Sequence, residues 1–536
     1  MRHPMMFMSV TLACALFLAA GTGCKKGTPT TCTGWAKFLK SPIKARDAIK
    51  NLGDLRCKEN LGDLEAIFPT SQYKDDILAT VKAINAPEAS ISLLKKALAD
   101  PAAATLGAAV AEDFAQQALR PALVEILTTD KAIKARANAV KAIAKIDKVS
   151  LKADEDLFIQ LLRNDPNIQG IEVNALAAEM LGEMHSEKAV PQLVVGLFMR
   201  SQRGGQLYTS CRKALVKIGK PSVDAIVAVM TNDPKAANLV NDLTDSAKRM
   251  GLADWQWRDG PEFIQVLGDL RDPAAAKVVA ASLAKPLVPP VGVDQRVMQT
   301  WQMAQQNRIA MSMIGLWNVG GAEVAAALKE VVLTVDNDAK QRLDTATTIS
   351  LLPGFSGIPI LLDVYRKSTE ESFRAPLLKP IALGLDWEHY DAFMKAIAAD
   401  KSQFVKARAS GNDADAAEFA AIVGVLKDCK EGDTNCLIGK LKGDDPVIGG
   451  KAAVLLAGMK GVDRPKALAA LFEKYPLTDP VTMVDFRRFM LLAMWRLGDK
   501  TNVPDVERLL RSDRDRKGAS YWIDELETFI PPLSRK

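Results

Sequence analysis

One pattern recurs along most of this chain and limits its fold more than any other feature. An apolar stripe at helical spacing ends at glycine, and a second stripe follows, often opened by proline. In 173–200, Val173, Leu176, Ala177, Met180 and Leu181 make the first stripe, Gly182 follows, and Ala189-Val190-Pro191 opens the second through Leu193, Val194 and Leu197. Such spacing gathers apolar side chains on one face of a helix, and two such helices joined by a short turn form an αα-hairpin. Further copies are 214–219 before Pro221, 263–269 before Pro273, 311–316 before 322–332, 349–352 before 358–365, 452–458 before Pro465, and 489–499 before Val503-Pro504. Apart from one gap after Tyr365, successive turns fall about 30 to 50 residues apart, the period of helical solenoids. The glycines read as left-handed helix caps, and a proline in the first turn loses no hydrogen bond.

The turns Leu181-Gly182, Ile218-Gly219, Leu267-Gly268-Asp269 and Leu497-Gly498-Asp499, with the openings Val190-Pro191 and Val503-Pro504, resemble HEAT repeats. The resemblance implies an all-α solenoid of stacked antiparallel helix pairs without substantial sheet. A composition with 48% hydrophobic residues and only 6% aromatics suits close-packed helices. One hairpin buries too little to stand alone, so stacking predicts an elongated, curved rod with a concave face and capped ends. The expected divisions are a leader at 1–23, a flexible tether at 24–31, an N-terminal helical cap region at 32–100, the solenoid at 101–518, and a closing helix and tail at 519–536. That last helix is expected to stop before Pro531-Pro532. Pro286, Pro289 and Pro290 predict a longer loop within 285–293.

The chain opens with Arg2 and His3, an apolar run over 5–20 and then Gly21-Thr22-Gly23-Cys24. The run is shorter than the roughly 20 residues a membrane span needs and reads as a cleaved signal peptide. Gly21-Thr22-Gly23-Cys24 resembles the lipobox of bacterial lipoproteins, which implies cleavage before Cys24 and acylation of its sulfur. The alternative is ordinary cleavage that leaves Cys24 a plain thiol. Lys25 stands where an inner-membrane retention signal would carry Asp, so the resemblance points to a protein anchored in the cell envelope, at the outer rather than the inner membrane.

Cys32 and Cys57 flank the first helical segment, Cys429 and Cys436 bracket a polar turn, and Cys211 sits alone in a helical run. Two disulfides and one buried thiol fit an exported chain, reduced cysteines being the alternative. No C-x-x-C pair offers a zinc site. The net charge of +6 over 536 residues implies no nucleic-acid partner.

The search for catalytic groups returns little. Of three histidines, His3 lies in the leader, His185 in a turn, and His389 follows Glu388 at a helix start; no H-E-x-x-H exists. Gly354-Phe355-Ser356-Gly357-Ile358 lacks the second glycine of a nucleophile elbow. Gly449-Gly450-Lys451 lacks the first glycine and the hydroxyl residue of a phosphate loop. Arg508, Arg511, Arg514, Arg516 and Lys517 read as a solvated helix end. Trp255, Trp257 and Arg258 are candidate partner-binding residues, unless the tryptophans pack back onto neighbouring repeats. The expectation is a lipid-anchored scaffold, neither enzyme nor cofactor or metal binder, that holds a partner protein or peptide on its concave face. The alternative is an envelope enzyme using Glu388 and His389 in the groove; a pure spacer is a third reading.

Overall fold

The computed structural model describes residues 29–146, 150–252, 254–258, 260–321, 324–335 and 337–536; the side chains of residues 131, 150, 151, 254 and 255 are also left out. The leader and Cys24 lie outside the described residues. Among the described residues every regular element is helical, and the one β-type contact is an isolated bridge between Arg200 and Gln206. None of these helices is long and apolar enough to cross a membrane.

The chain divides into two compact units at Ala122/Leu123. In the first, Ala45–Asp54 packs against Lys74–Ile84. Ile49, Leu52, Ile77, Leu78 and Val81 fill the contact, and the buried Thr80 hydroxyl donates to the Ile49 carbonyl at 2.9 Å. A disulfide joins Cys32 to Cys57. Ile91–Ala99 and Ala104–Phe114 form another pair, so pairing already operates within the stretch read as a cap.

The second unit repeats the hairpin plan. The helices that build its interior are α1 (Tyr208–Ile218), α2 (Pro261–Leu270), α3 (Gln295–Val319), α4 (Ala339–Ser350), α5 (Glu371–Gly384), α6 (Gln403–Ser410), α7 (Ala414–Asp428), α8 (Pro446–Gly458), α9 (Val484–Leu497), α10 (Val503–Arg514) and α11 (Ser520–Arg535).

The glycines at the repeat turns do not share one role. Gly219 is the left-handed cap the pattern predicts, at φ +89° with Pro221 two residues on. Gly182 and Gly268 instead lie inside helices. A Cβ on Gly182 would stand 2.7 Å from Ala214 Cα, and one on Gly268 2.7 Å from Gly315 Cα, so both are needed where helices cross closely. The left-handed positions fall to His185 and Arg271.

The expectation of an elongated rod whose last helix only caps its end needs a larger correction, because the second unit closes on itself. Helix α11 packs along α10 and also against α1 and α2, some 300 residues earlier in the chain. Arg212 on α1 is buried, donating to Asp269 beside it at 2.5 Å and to Glu525 on α11 at 2.9 Å. Arg535 reaches the Val216 carbonyl at 3.1 Å, and Arg271 lies 4.8 Å from the Trp495 ring and 4.6 Å from Phe529. The last helix also runs through Pro531 and Pro532 rather than stopping before them. Pro532 and Leu533 are buried there, and that burial outweighs the lost backbone donors.

Candidate functional site

Helices α3, α4, α5, α7, α8 and α9 follow one another around the interior of the second unit, and α9 returns to touch α3. Trp317 on α3 meets Phe489 on α9 with ring centroids 6.2 Å apart. At their C-terminal ends the inner helices converge through missing side chains. A Cβ on Gly384 would lie 2.0 Å from the Ser350 carbonyl oxygen, and one on Gly458 2.6 Å from Phe355 Cζ; Arg496 donates to the Leu351 carbonyl. Toward their N-termini α4, α7, α8 and α9 spread apart and line a cavity of about 790 Å³.

Its wall is apolar. Met313, Ile314, Leu343, Leu383, Val447, Met483 and Phe489 are half-buried around it, with the rings of Pro376 and Pro380, two prolines inside α5. The ring at Phe489 is seated by a glycine pair. A Cβ on Gly449 would stand 2.7 Å from Phe486 Cζ, and one on Gly450 2.9 Å from Phe489 Cδ2. Gly449-Gly450 is therefore the place where α9's aromatic rings lie on α8. Lys451, next in sequence, is fully buried and donates to the Leu383 carbonyl at 3.0 Å and to the Leu385 carbonyl, closing the end of α5. Burial holds its ammonium at about 7, far below the usual lysine range.

The rim carries charges in internal pairs: Lys340 with Asp344, Lys379 with Glu418 at 2.9 Å, Arg408 with Asp415 at 2.6 Å, and Arg488 with Asp485 at 3.7 Å. The cavity is thus a neutral apolar cup with a zwitterionic edge. Its hydroxyls, Thr347 and Thr482, donate to the Leu343 carbonyl and to Asp479. Among the described residues no histidine or cysteine lines it, and its apolar centre offers contact surface.

The residues singled out in the sequence lie elsewhere. Trp257 is 1% exposed, with the Arg258 guanidinium 4.1 Å from its ring centroid, so the ring belongs to the interior and Arg258 is the exposed member. The Trp255 side chain lies outside the described residues. His389 Nδ1 is 2.6 Å from Asp386, whose carboxylate also caps the helix Trp387–Ala399 by accepting from the His389 backbone N–H. Asp386, Glu388 and His389 bring ligand atoms within 4.8 Å of one another, yet none lines the cavity. His185 Nδ1 lies 2.7 Å from the Lys217 carbonyl at an exposed turn. Cys429 and Cys436 are joined, and Cys211 is a buried free thiol whose ionisation burial pushes up. Arg508, Arg514 and Arg516 pair with Asp505, Glu527 and Asp513.

No family model and no curated protein matches the chain. Among solved structures it is similar to an engineered protein, at 16% identity over 88% of this chain and 98% of that one, with a TM-score of 0.26. It is similar also to importin beta, at 11% identity, 93% and 76% coverage and a TM-score of 0.37. A third is the karyopherin Kap121p bound to the extreme C-terminus of the protein phosphatase Cdc14p, at 11%, 94% and 71%, and 0.38. At these scores the likeness carries no argument, and the stacking of helix pairs stands on the geometry above.

Proposed function

We propose that this chain is a lipid-anchored scaffold of the bacterial cell envelope, held to the outer membrane through Cys24, that grips a partner polypeptide in the cup formed by α3 to α9. The observation that carries the reading is the cup itself. Its volume of about 790 Å³ is in the range of ligand sites, its wall is apolar, and its charges neutralise one another, so binding energy comes from burial rather than from chemistry on a substrate. Anchoring supports the reading from the sequence side, because an acylated Cys24 would keep the cup beside the membrane. Glu388 and His389 are not among the residues that line the cup.

The test is site-specific photocrosslinking of the full-length lipidated protein in envelopes, with a benzophenone amino acid at Phe489. A polypeptide adduct that disappears when Leu343→Lys is added is the expected result. Adducts indifferent to Leu343→Lys, or none, would overturn the binding reading. Failure of Cys24→Ser to abolish radiolabelled palmitate incorporation would overturn the anchor.

A further inference from the structure

Between the helix Ala276–Ala284 and α3 the chain runs through Pro286-Leu287-Val288-Pro289-Pro290-Val291-Gly292-Val293, a stretch without a charged or hydrogen-bonding side chain. Proline fixes φ near −65°, and a residue that precedes proline is held extended. Lys285, before Pro286, stands at φ −61° and ψ 125°. Exposure along the segment has a period of three. Leu287 and Pro290 are half-buried, while Pro286, Val288, Pro289 and Val291 are exposed, the two valines at 74% and 97%. A strand would turn every second residue inward. A polyproline II helix has three residues per turn and puts i and i+3 on one edge. Here Leu287 and Pro290 share the inner edge, Pro286 and Pro289 form one outer edge, and Val288 and Val291 form the other.

Both ends of the segment are fixed. The Lys285 carbonyl accepts from Arg308 on α3 at 3.2 Å and from Gln341 on α4 at 3.3 Å, both buried. At the other end Gly292, at φ +74°, turns the chain, and Asp294 caps α3 by accepting from the Val297 N–H at 2.8 Å. Between these posts the backbone of 286–293 makes no hydrogen bond with any described residue. We infer that 286–291 is a docking segment for a partner protein whose apolar groove is lined by aromatic side chains and reads the proline and valine edges of this polyproline II turn. It stands apart from the cup and from the anchor. The backbone decides between the ways an exposed apolar segment can bind. A bilayer would leave these N–H and C=O groups without partners. An added strand needs N–H groups for its ladder, and Pro289-Pro290 offers none at two successive positions. A polyproline II segment keeps its backbone in water and gives its side-chain edges to aromatic rings. The lack of charge between Lys285 and Asp294 suits a neutral groove, and the fixed ends and three prolines restrict the segment before binding, which lowers the ordering cost of the complex.

The experiment places a benzophenone amino acid at Val288 of the full-length protein in the cells that make it, and challenges the adducts with two synthetic peptides, one of the natural sequence 285–294 and one with alanine at its three proline positions. A polypeptide adduct is expected, with its crosslinked site among aromatic residues of the partner. The natural peptide should displace it at a concentration at least about tenfold lower than the alanine peptide does. The adduct should be lost in Val291→Asp and in the double variant Pro286→Ala, Pro289→Ala. These substitutions fall on exposed positions without hydrogen bonds, so urea midpoints equal to wild type are expected and separate lost docking from lost folding. Adducts with lipid, an adduct that survives Val291→Asp, one that both peptides displace equally or neither displaces, or no adduct at all would overturn the inference.

Discussion

Arg212 is the residue through which the second unit closes, and replacing it with methionine tests that closure directly. Its guanidinium joins Asp269 to Glu525 on α11, with side chains 5%, 7% and 11% exposed. Arg212→Met keeps much of the volume but leaves two carboxylates in the interior facing Arg271 alone. Removing one partner of a buried pair costs about 3–5 kcal/mol. The loss should fall on the docking of α11, because Glu525 ties that helix to Arg212 and Asp269. The assay is hydrogen exchange of peptides covering 520–536, which reads local opening as a free energy. Acid should moderate the defect. Burial already holds the Glu525 carboxyl above its ordinary 4.5, and Arg212 is the strongest influence lowering it. With Arg212 gone the folded-state value rises further, so the folded form binds the proton more tightly than the unfolded form. The variant's deficit should therefore be largest at pH 7 and shrink as pH falls toward 4.5. Exchange at 520–536 that matches wild type at pH 7, or a deficit that deepens on acidification, would refute the idea that this network holds the closure.

Other expectations follow from the same geometry. Lys451 has a folded value of about 7 against an ordinary 10.5, so the folded state binds fewer protons in that window and stability should increase from pH 7 towards 10; Lys451→Met should flatten that rise in urea midpoints. Gly268→Leu should cost about 1–3 kcal/mol by overpacking against Gly315 and should lower the urea midpoint. On a chain-entropy estimate, opening Cys32–Cys57 across 25 residues removes about 3.5 kcal/mol and opening Cys429–Cys436 across 7 removes about 2.4. Paired Cys→Ser variants compared by denaturation should show the larger loss in the first unit. Cys211 should react with a thiol reagent only after unfolding, and stoichiometric labelling of the native protein would contradict its burial.

The helix pairs were legible in the sequence because their signal is local. Apolar spacing and a proline in the first turn are written within some thirty residues, and Gly219 with Pro221 is the plainest instance. What glycine does at each turn was not legible. Gly182 after Leu181 and Gly268 after Leu267 read in sequence like Gly219 after Ile218, yet they are chosen by Ala214 and Gly315, which face them from other helices. Gly449-Gly450-Lys451 shows the same limit, since the rings that need those glycines arrive from α9 and the carbonyls that need the lysine from the end of α5. The cup escaped notice because it is assembled from apolar positions that also read as ordinary core, and because nothing in a repeat period announces that its last helix will meet its earlier ones. One available signal was α11 itself, where Glu525 and Thr528 interrupt the apolar face with polar groups that find Arg212.

The distance along the chain between Arg212 and Glu525 sets an order of events during synthesis. Neighbouring hairpins can form as soon as they emerge, since their contacts are local, but closure requires residues 313 positions apart and so waits for the end of the chain. Until the final segment has been made, the faces of α1 and α2 that will receive it, Arg212 and Asp269 among them, stay uncovered. A chain truncated before 520 would be caught permanently in that interval, an intact set of hairpins with an open flank, and would depend on chaperones in a way the finished protein does not.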